Sequence, residues 1–202
     1  GLVLLLIWHL MQTGLGFGQA VRQASFNGVS IMTGTGYVSA NFSAWGGFAT
    51  TILLIVMFIG GCGGSTTCGI KVFRLQVLAS TAKVQISRLL RPHAVVLAYY
   101  NKRPVSVEVM DSVMGFFYLF ILGFVLIAIM LGMAGLDFVT ALSGAATSIS
   151  NVGPGLGEVI GADGNFSTLP DSAKWIMTFA MLLGRLEIFT VLVMLNPAFW
   201  QR

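Results

Sequence analysis

Four strongly apolar segments, roughly residues 1–13, 44–59, 105–133 and 172–200, decide what this chain can fold into. A helix needs about 20 apolar residues to cross a bilayer core. Backbone left unpaired in hydrocarbon is too costly, so crossings must be helical, and irregular backbone must be buried in protein or line a watery cavity. Composition agrees: the 202 residues are 56% hydrophobic and 9% charged, where a soluble domain carries about a quarter charged residues. The chain therefore reads as a polytopic, all-α integral membrane protein. It does not begin with Met, shows no signal peptide, and opens on GLVLLLIWHLMQTG, too short to cross. That opening reads as the inside of a helix in a longer protein.

Between the first two apolar segments lies GFGQAVRQASFNGVSIMTGTGYVSANFS, and between the last two DFVTALSGAATSISNVGPGLGEVIGADGNFSTLP. Each starts with an apolar stretch too short to span and then meets Gly, Thr, Ser and Asn, as a re-entrant segment or buried helix would. The chain thus reads twice as span, short helix, glycine-rich loop, span, with Gly36 and Gly153 in corresponding places. Charge sets the orientation. Residues 71–103 hold seven of the eleven basic residues and no acid, which places that segment in the cytoplasm and explains the net charge of +4 without a nucleic-acid partner. The opposite loop carries Asp137, Glu158, Asp163 and Asp171. These carboxylates either concentrate cations at a pore mouth or form a solvated loop.

Extended Gly and Thr backbone after a re-entrant helix can turn carbonyl oxygens toward a cavity, where they replace a cation's hydration shell. Glycine reaches dihedrals that a Cβ resists, Thr33 and Thr35 add hydroxyls, and Pro154 fixes the chain as it leaves the second loop. Ordinary extracellular turns are the competing reading. A second break, GGCGGSTTCG at Gly60–Gly69, has five glycines in ten positions, each costing about 1 kcal/mol in a helix interior relative to Ala. Helix resumes near Ile70, and the break reads either as a small polar loop in a watery cavity or as a packing kink. A nucleotide-binding loop is excluded because no Lys precedes Ser65–Thr66. Arg185 lies in the middle of the span 172–200, where a charge costs at least about 2.5–3.5 kcal/mol. It should face the interior, meet carbonyls or hydroxyls of the 60–69 loop, and oppose cation passage as part of a gate; a purely structural tie between helices is the alternative. Glu187, two positions on, points to another face. His9 and His93 read as interfacial or solvated, and Trp45, Trp175 and Trp200 as an aromatic belt. Cys62 and Cys68 match no metal spacing.

The stretches TGTGYVSANFS, FIGGCGGSTTCGIKVFRL, SISNVGPGLG and LLGRLEIFTVLVMLNPAFW resemble the Trk/Ktr/HKT superfamily of potassium transporters, most closely the bacterial TrkH/TrkG type, over nearly the whole chain. The resemblance implies a potassium-channel-like fold of two tandem helix–re-entrant pore helix–filter loop–helix units, the third and fourth of four in the C-terminal half of the protein. Residues 1–80 would be the third repeat, 81–104 a basic cytoplasmic linker and 105–202 the fourth repeat. By that likeness Gly36 and Gly153 are filter glycines. The backbone of Thr33, Gly34, Thr35, Gly36 and Tyr37, and of Ser150, Asn151, Val152, Gly153 and Pro154 (filter loop 150–155), would line the ion path. K+ would sit at the backbone of Thr35, Gly36, Asn151, Val152 and Gly153.

The break, made of Gly60, Gly61, Cys62, Gly63, Gly64, Ser65, Thr66, Thr67, Cys68 and Gly69, resembles the family's intramembrane gating loop, acting with Arg185. The resemblance implies potassium uptake across the bacterial inner membrane, no enzyme activity, and a cytoplasmic C-terminus. It also implies a homodimer and a cytoplasmic nucleotide-binding regulatory subunit. Two units cannot enclose a four-sided pore, so the missing N-terminal half or another chain is required. A secondary transporter using the broken helix as its substrate site is the rival. An intramembrane enzyme finds no paired acids, metal set or Ser-His arrangement in the spans.

Overall fold

A computed structural model describes residues 1–63, 65, 67, 69–91, 97–186 and 193. In chain order they form α1 (Leu2–Gln12), α2 (Phe17–Thr33), a 3-10 turn (Phe42–Trp45), α3 (Gly47–Phe58) and α4 (Val72–Leu90). A hairpin follows, β1 (Tyr99–Tyr100) with β2 (Arg103–Pro104). The remainder is α5 (Val107–Met133), α6 (Phe138–Ser150), α7 (Gly157–Ile160), a second 3-10 turn (Phe166–Thr168) and α8 (Asp171–Arg185). Among the described residues α5 alone is long and apolar enough to cross a membrane. The sequence-based notation of 172–200 as a span runs past Leu186 into residues that, Val193 apart, lie outside those described, as do Glu187, His93 and Trp200.

Local chemistry fixes the helix ends. The Ser106 hydroxyl and the Asp137 carboxylate accept from backbone N–H groups at the starts of α5 and α6. Both short helices stop on a left-handed residue, Gly34 after α2 (φ 70°) and Asn151 after α6 (φ 52°). In the hairpin, Asn101 and Lys102 both have positive φ, the backbone of a tight type I′ turn. Ser80 of α4 anchors that hairpin, donating to the Tyr99 carbonyl and accepting from the Tyr99 N–H. Helix resumes at Val72, and α4 continues past residue 80 to Leu90.

Packing then follows from residue size. One core joins Leu6, Leu10, Ala24, Ile31, Phe42 and Leu53 of α1–α3, and another joins Phe116, Phe120, Leu131, Met177 and Ala180 of α5 and α8. Helix α6 lies between them, giving Ala146 to the first and Ala145 and Ile149 to the second. Its residues Ser143–Ser150 are all buried. Small side chains make this possible, because they let α3, α5 and α8 approach its backbone from different sides. Phe58, the last residue of α3, reaches across to α5 through edge-on contacts with Phe120 and Phe124.

Two expectations are corrected here. Trp45 is buried, not exposed in a belt, whereas Trp175 is exposed. Of the two readings of His9, the solvated one is set aside: the ring is half-buried, its Nε2 hydrogen-bonds with the Trp45 carbonyl at 2.8 Å, and it rests on Phe48. One pairing explains both, since α1 uses the imidazole to close the turn before α3.

Candidate functional site

The two glycine loops are built on the same plan. After α2, the N–H of Thr35 donates to the Ser30 carbonyl (3.1 Å); after α6, the N–H of Val152 donates to the Thr147 carbonyl (3.0 Å). The Ser30 hydroxyl donates to the Tyr37 carbonyl (2.7 Å), and the Thr147 hydroxyl accepts from the Gly153 N–H (3.0 Å). Further along, the buried Asn27 amide accepts from the Ser39 N–H, while Ser143 takes the N–H of Leu156 and donates back to its carbonyl. Polar side chains inside each helix thus pin the loop that follows, and the matching bonds of Thr35 and Val152 pair Gly34 with Asn151 and Gly36 with Gly153. Ser30, Asn27, Ser143 and Thr147 escaped the sequence reading. Their signal is there: Ser30 and Thr147 each precede a loop glycine at the same spacing.

These loops touch. A Cβ placed on Gly36 (φ 72°) would stand 2.8 Å from the Val152 carbonyl oxygen and 3.2 Å from Pro154 Cδ. One on Gly34 would stand 3.2 Å from the Asn151 oxygen, and one on Gly153 would stand 3.6 Å from Gly36 Cα. Side-chain-free backbone is what allows this approach. Among the described residues, no hydrogen bond reaches the carbonyl oxygens of Thr35, Gly36, Asn151, Val152 or Gly153. The Tyr37 carbonyl differs, being taken by Ser30, and its ring is exposed. Nor do the threonine hydroxyls point away from α2: Thr33 donates to the Val29 carbonyl, and Thr35 to that of Ser30. The Ser150 hydroxyl is buried with no hydrogen-bond partner among the described residues.

Helix α8 seals the second loop from behind. The Asn151 side-chain amide donates to the Met181 carbonyl (3.0 Å). Gly184 lies so near the end of α6 that a Cβ on it would fall 1.9 Å from the Ile149 oxygen. Arg185 follows in the last turn of α8 and is exposed on this chain.

The break after α3 is a closed excursion. Gly60 N–H donates to the Ile70 carbonyl and Ile70 N–H to the Phe58 carbonyl, both at 2.9 Å, so its two ends run side by side. Gly69 turns with φ 80°, and a Cβ on Gly61 would strike the hydroxyls of Ser65 (2.7 Å) and Thr67 (2.9 Å). Cys62 is exposed; Gly64, Thr66 and Cys68 lie outside the described residues. On the α4 side, the Arg74 guanidinium sits 3.9 Å over the Phe116 ring of α5.

In the loops flanking α6 and α8 most carboxylates have structural work. Asp163 accepts from the Asn41 amide, Asp171 pairs with Lys174 (3.1 Å) in the first turn of α8, and Asp137 caps α6. The Thr140 side-chain and backbone hydrogen bonds hold the Asp137 carboxyl below its ordinary value. A lowered folded pKa contributes stability that is present at neutral pH and lost as pH falls through it. Asp137→Ala is therefore expected to cost about 1 kcal/mol in a thermal-melt series at neutral pH. The gap to the parent should close on acidification; a constant gap would mean that the carboxylate charge is irrelevant.

Two helices that each hand over to a glycine loop, the loops touching and the whole framed by apolar helices, define a mainly helical fold of two like units. The chain belongs to the TrkH family of cation transport proteins, whose family model matches residues 11–202. It is 46% identical over 198 residues to the Trk system potassium uptake protein TrkI of Halomonas elongata, an alignment that covers 98% of this chain and 40% of that protein. Against TrkH of Escherichia coli K12 identity is 37% over 181 residues, covering 90% of this chain and 37% of the relative. The crystal structure of the potassium transporter TrkH from Vibrio parahaemolyticus matches with a TM-score of 0.89 at 38% identity, over 98% of this chain and 42% of that one. The chain thus spans less than half the length of these relatives.

Proposed function

We propose that this chain contributes two of four pore-forming units to a potassium uptake protein of the inner membrane, and that the loops at Thr33–Tyr37 and Ser150–Pro154 are half of its selectivity filter. The observation that carries this reading is the set of uncommitted carbonyls, those of Thr35, Gly36, Asn151, Val152 and Gly153, on two glycine strands in contact. Such oxygens can stand in for the water a potassium ion sheds. The remaining units come from the rest of the protein. The basic segment 71–103 faces the cytoplasm and offers a docking site for a nucleotide-binding regulatory subunit, and the assembly is a homodimer of pore subunits. The names of the curated relatives, each a Trk system potassium uptake protein, support the substrate.

Rubidium or potassium uptake by potassium-starved cells carrying the full-length protein, with sodium as competitor, tests this reading. Saturable uptake that sodium inhibits weakly is expected; no uptake above background would overturn it. The loop at Gly60–Gly69 and Arg185 form the gate in this reading. Trimming part of that loop, or Arg185→Ala, is expected to raise flux several-fold, and unaltered flux in both variants would remove the gating role.

A further inference from the structure

Asn151 occupies the position that Gly34 fills in the first unit, and both are left-handed. Glycine takes that backbone freely, while Asn is the kind of residue that tolerates it at some cost. The second unit has something to show for the exchange. The Asn151 amide donates to the Met181 carbonyl of α8 (3.0 Å), a tie that a glycine cannot make. Three residues on, Gly184 leaves α8 bare where it meets α6: a Cβ there would lie 1.9 Å from the Ile149 oxygen and 2.9 Å from the Asn151 amide nitrogen. Backbone therefore lies on backbone, and Arg185 comes next.

We propose that Asn151 is a positioning residue that couples the Arg185 end of α8 to the second glycine loop, so that a displacement of α8 alters cation discrimination. The inference rests on the pore reading above. Its mechanism is mechanical and local. The Asn151 side chain holds α8, while the Asn151 main chain begins the strand that carries the Val152 and Gly153 carbonyls. Gly34 offers the first loop no such hook, so these two loops of the filter would respond unequally to one gate.

Rubidium uptake and its inhibition by sodium, measured on the full-length protein in potassium-starved cells, test the coupling. Asn151→Gly keeps the left-handed backbone and removes the amide; Asn151→Asp keeps the size and removes the donor. Both are expected to lower the preference for rubidium over sodium about fivefold, the size of one lost neutral hydrogen bond. Arg185→Gln is expected to shift that preference in the parent and not in the Asn151→Gly background, the non-additivity that marks a coupled pair. Parent-like preference in either Asn151 variant, or an equal Arg185→Gln shift in both backgrounds, would overturn the proposal. Should the unsubstituted protein take up no rubidium, the pore reading itself falls. Uptake by the parent with unmoved variants removes the coupling alone.

Discussion

Full-length protein carrying Gly36→Ser is expected to reach the membrane and to lose its preference for potassium over sodium. Two effects add at this position. The backbone has φ 72°, where a side chain costs about 1–2 kcal/mol. The new Cβ would also press on the Val152 carbonyl oxygen from 2.8 Å. That oxygen cannot simply withdraw, since the Gly153 N–H of the same peptide unit donates to the Thr147 hydroxyl in the buried end of α6. Strain of this size predicts a change of about tenfold or more in the potassium-to-sodium uptake ratio. Gly153→Ser has the same backbone problem (φ 115°) with more room, its nearest contact being Gly36 Cα at 3.6 Å, so a smaller change is expected. Uptake with unchanged selectivity in both variants would count decisively against a filter at these loops.

Gly184→Ala is expected to abolish uptake and lower the thermal midpoint, although alanine favours helix over glycine by about 1 kcal/mol. The reason is the 1.9 Å approach to the Ile149 oxygen, far inside van der Waals contact. Relief requires α8 to back away from α6, which also breaks the Asn151–Met181 hydrogen bond and empties the packing of Met177 and Ala180 against Ile149. Gly132→Ala, in a helix with nothing within 4 Å of the added carbon, provides the contrast: it should melt at or slightly above the parent and transport normally. Equal behaviour of the two variants would show that α8 has slack the packing does not reveal.

Much of this architecture was legible in the sequence because it rests on local composition. Apolar length located α5, and the glycine-rich run at 60–69 located the break between α3 and α4. The pairing of Gly36 with Gly153 followed from the order of segments alone, and the two residues lie against each other. What stayed hidden depends on partners distant in sequence. Nothing about Gly184 distinguishes it from Gly132 until α6 is in place, and nothing about Trp45 foretells that His9 will close over its carbonyl. The hydroxyls of Thr33 and Thr35 looked available for a cavity, yet the last turn of α2 already offers them acceptors. Val193 apart, the second half of the span read at 172–200 lies outside the described residues.

The hydrogen bonds from Gly60 and Ile70 that close the base of the break have a bearing on how such a protein can vary. Among the described residues, the ends of α3 and α4 are joined through that latch and through the Val72 N–H, which donates to the Gly61 carbonyl. Lengthening or shortening the bulge at its tip leaves the register of both neighbours untouched. Proteins built on this scaffold can therefore differ in how this stretch behaves while keeping the flanking helices unchanged.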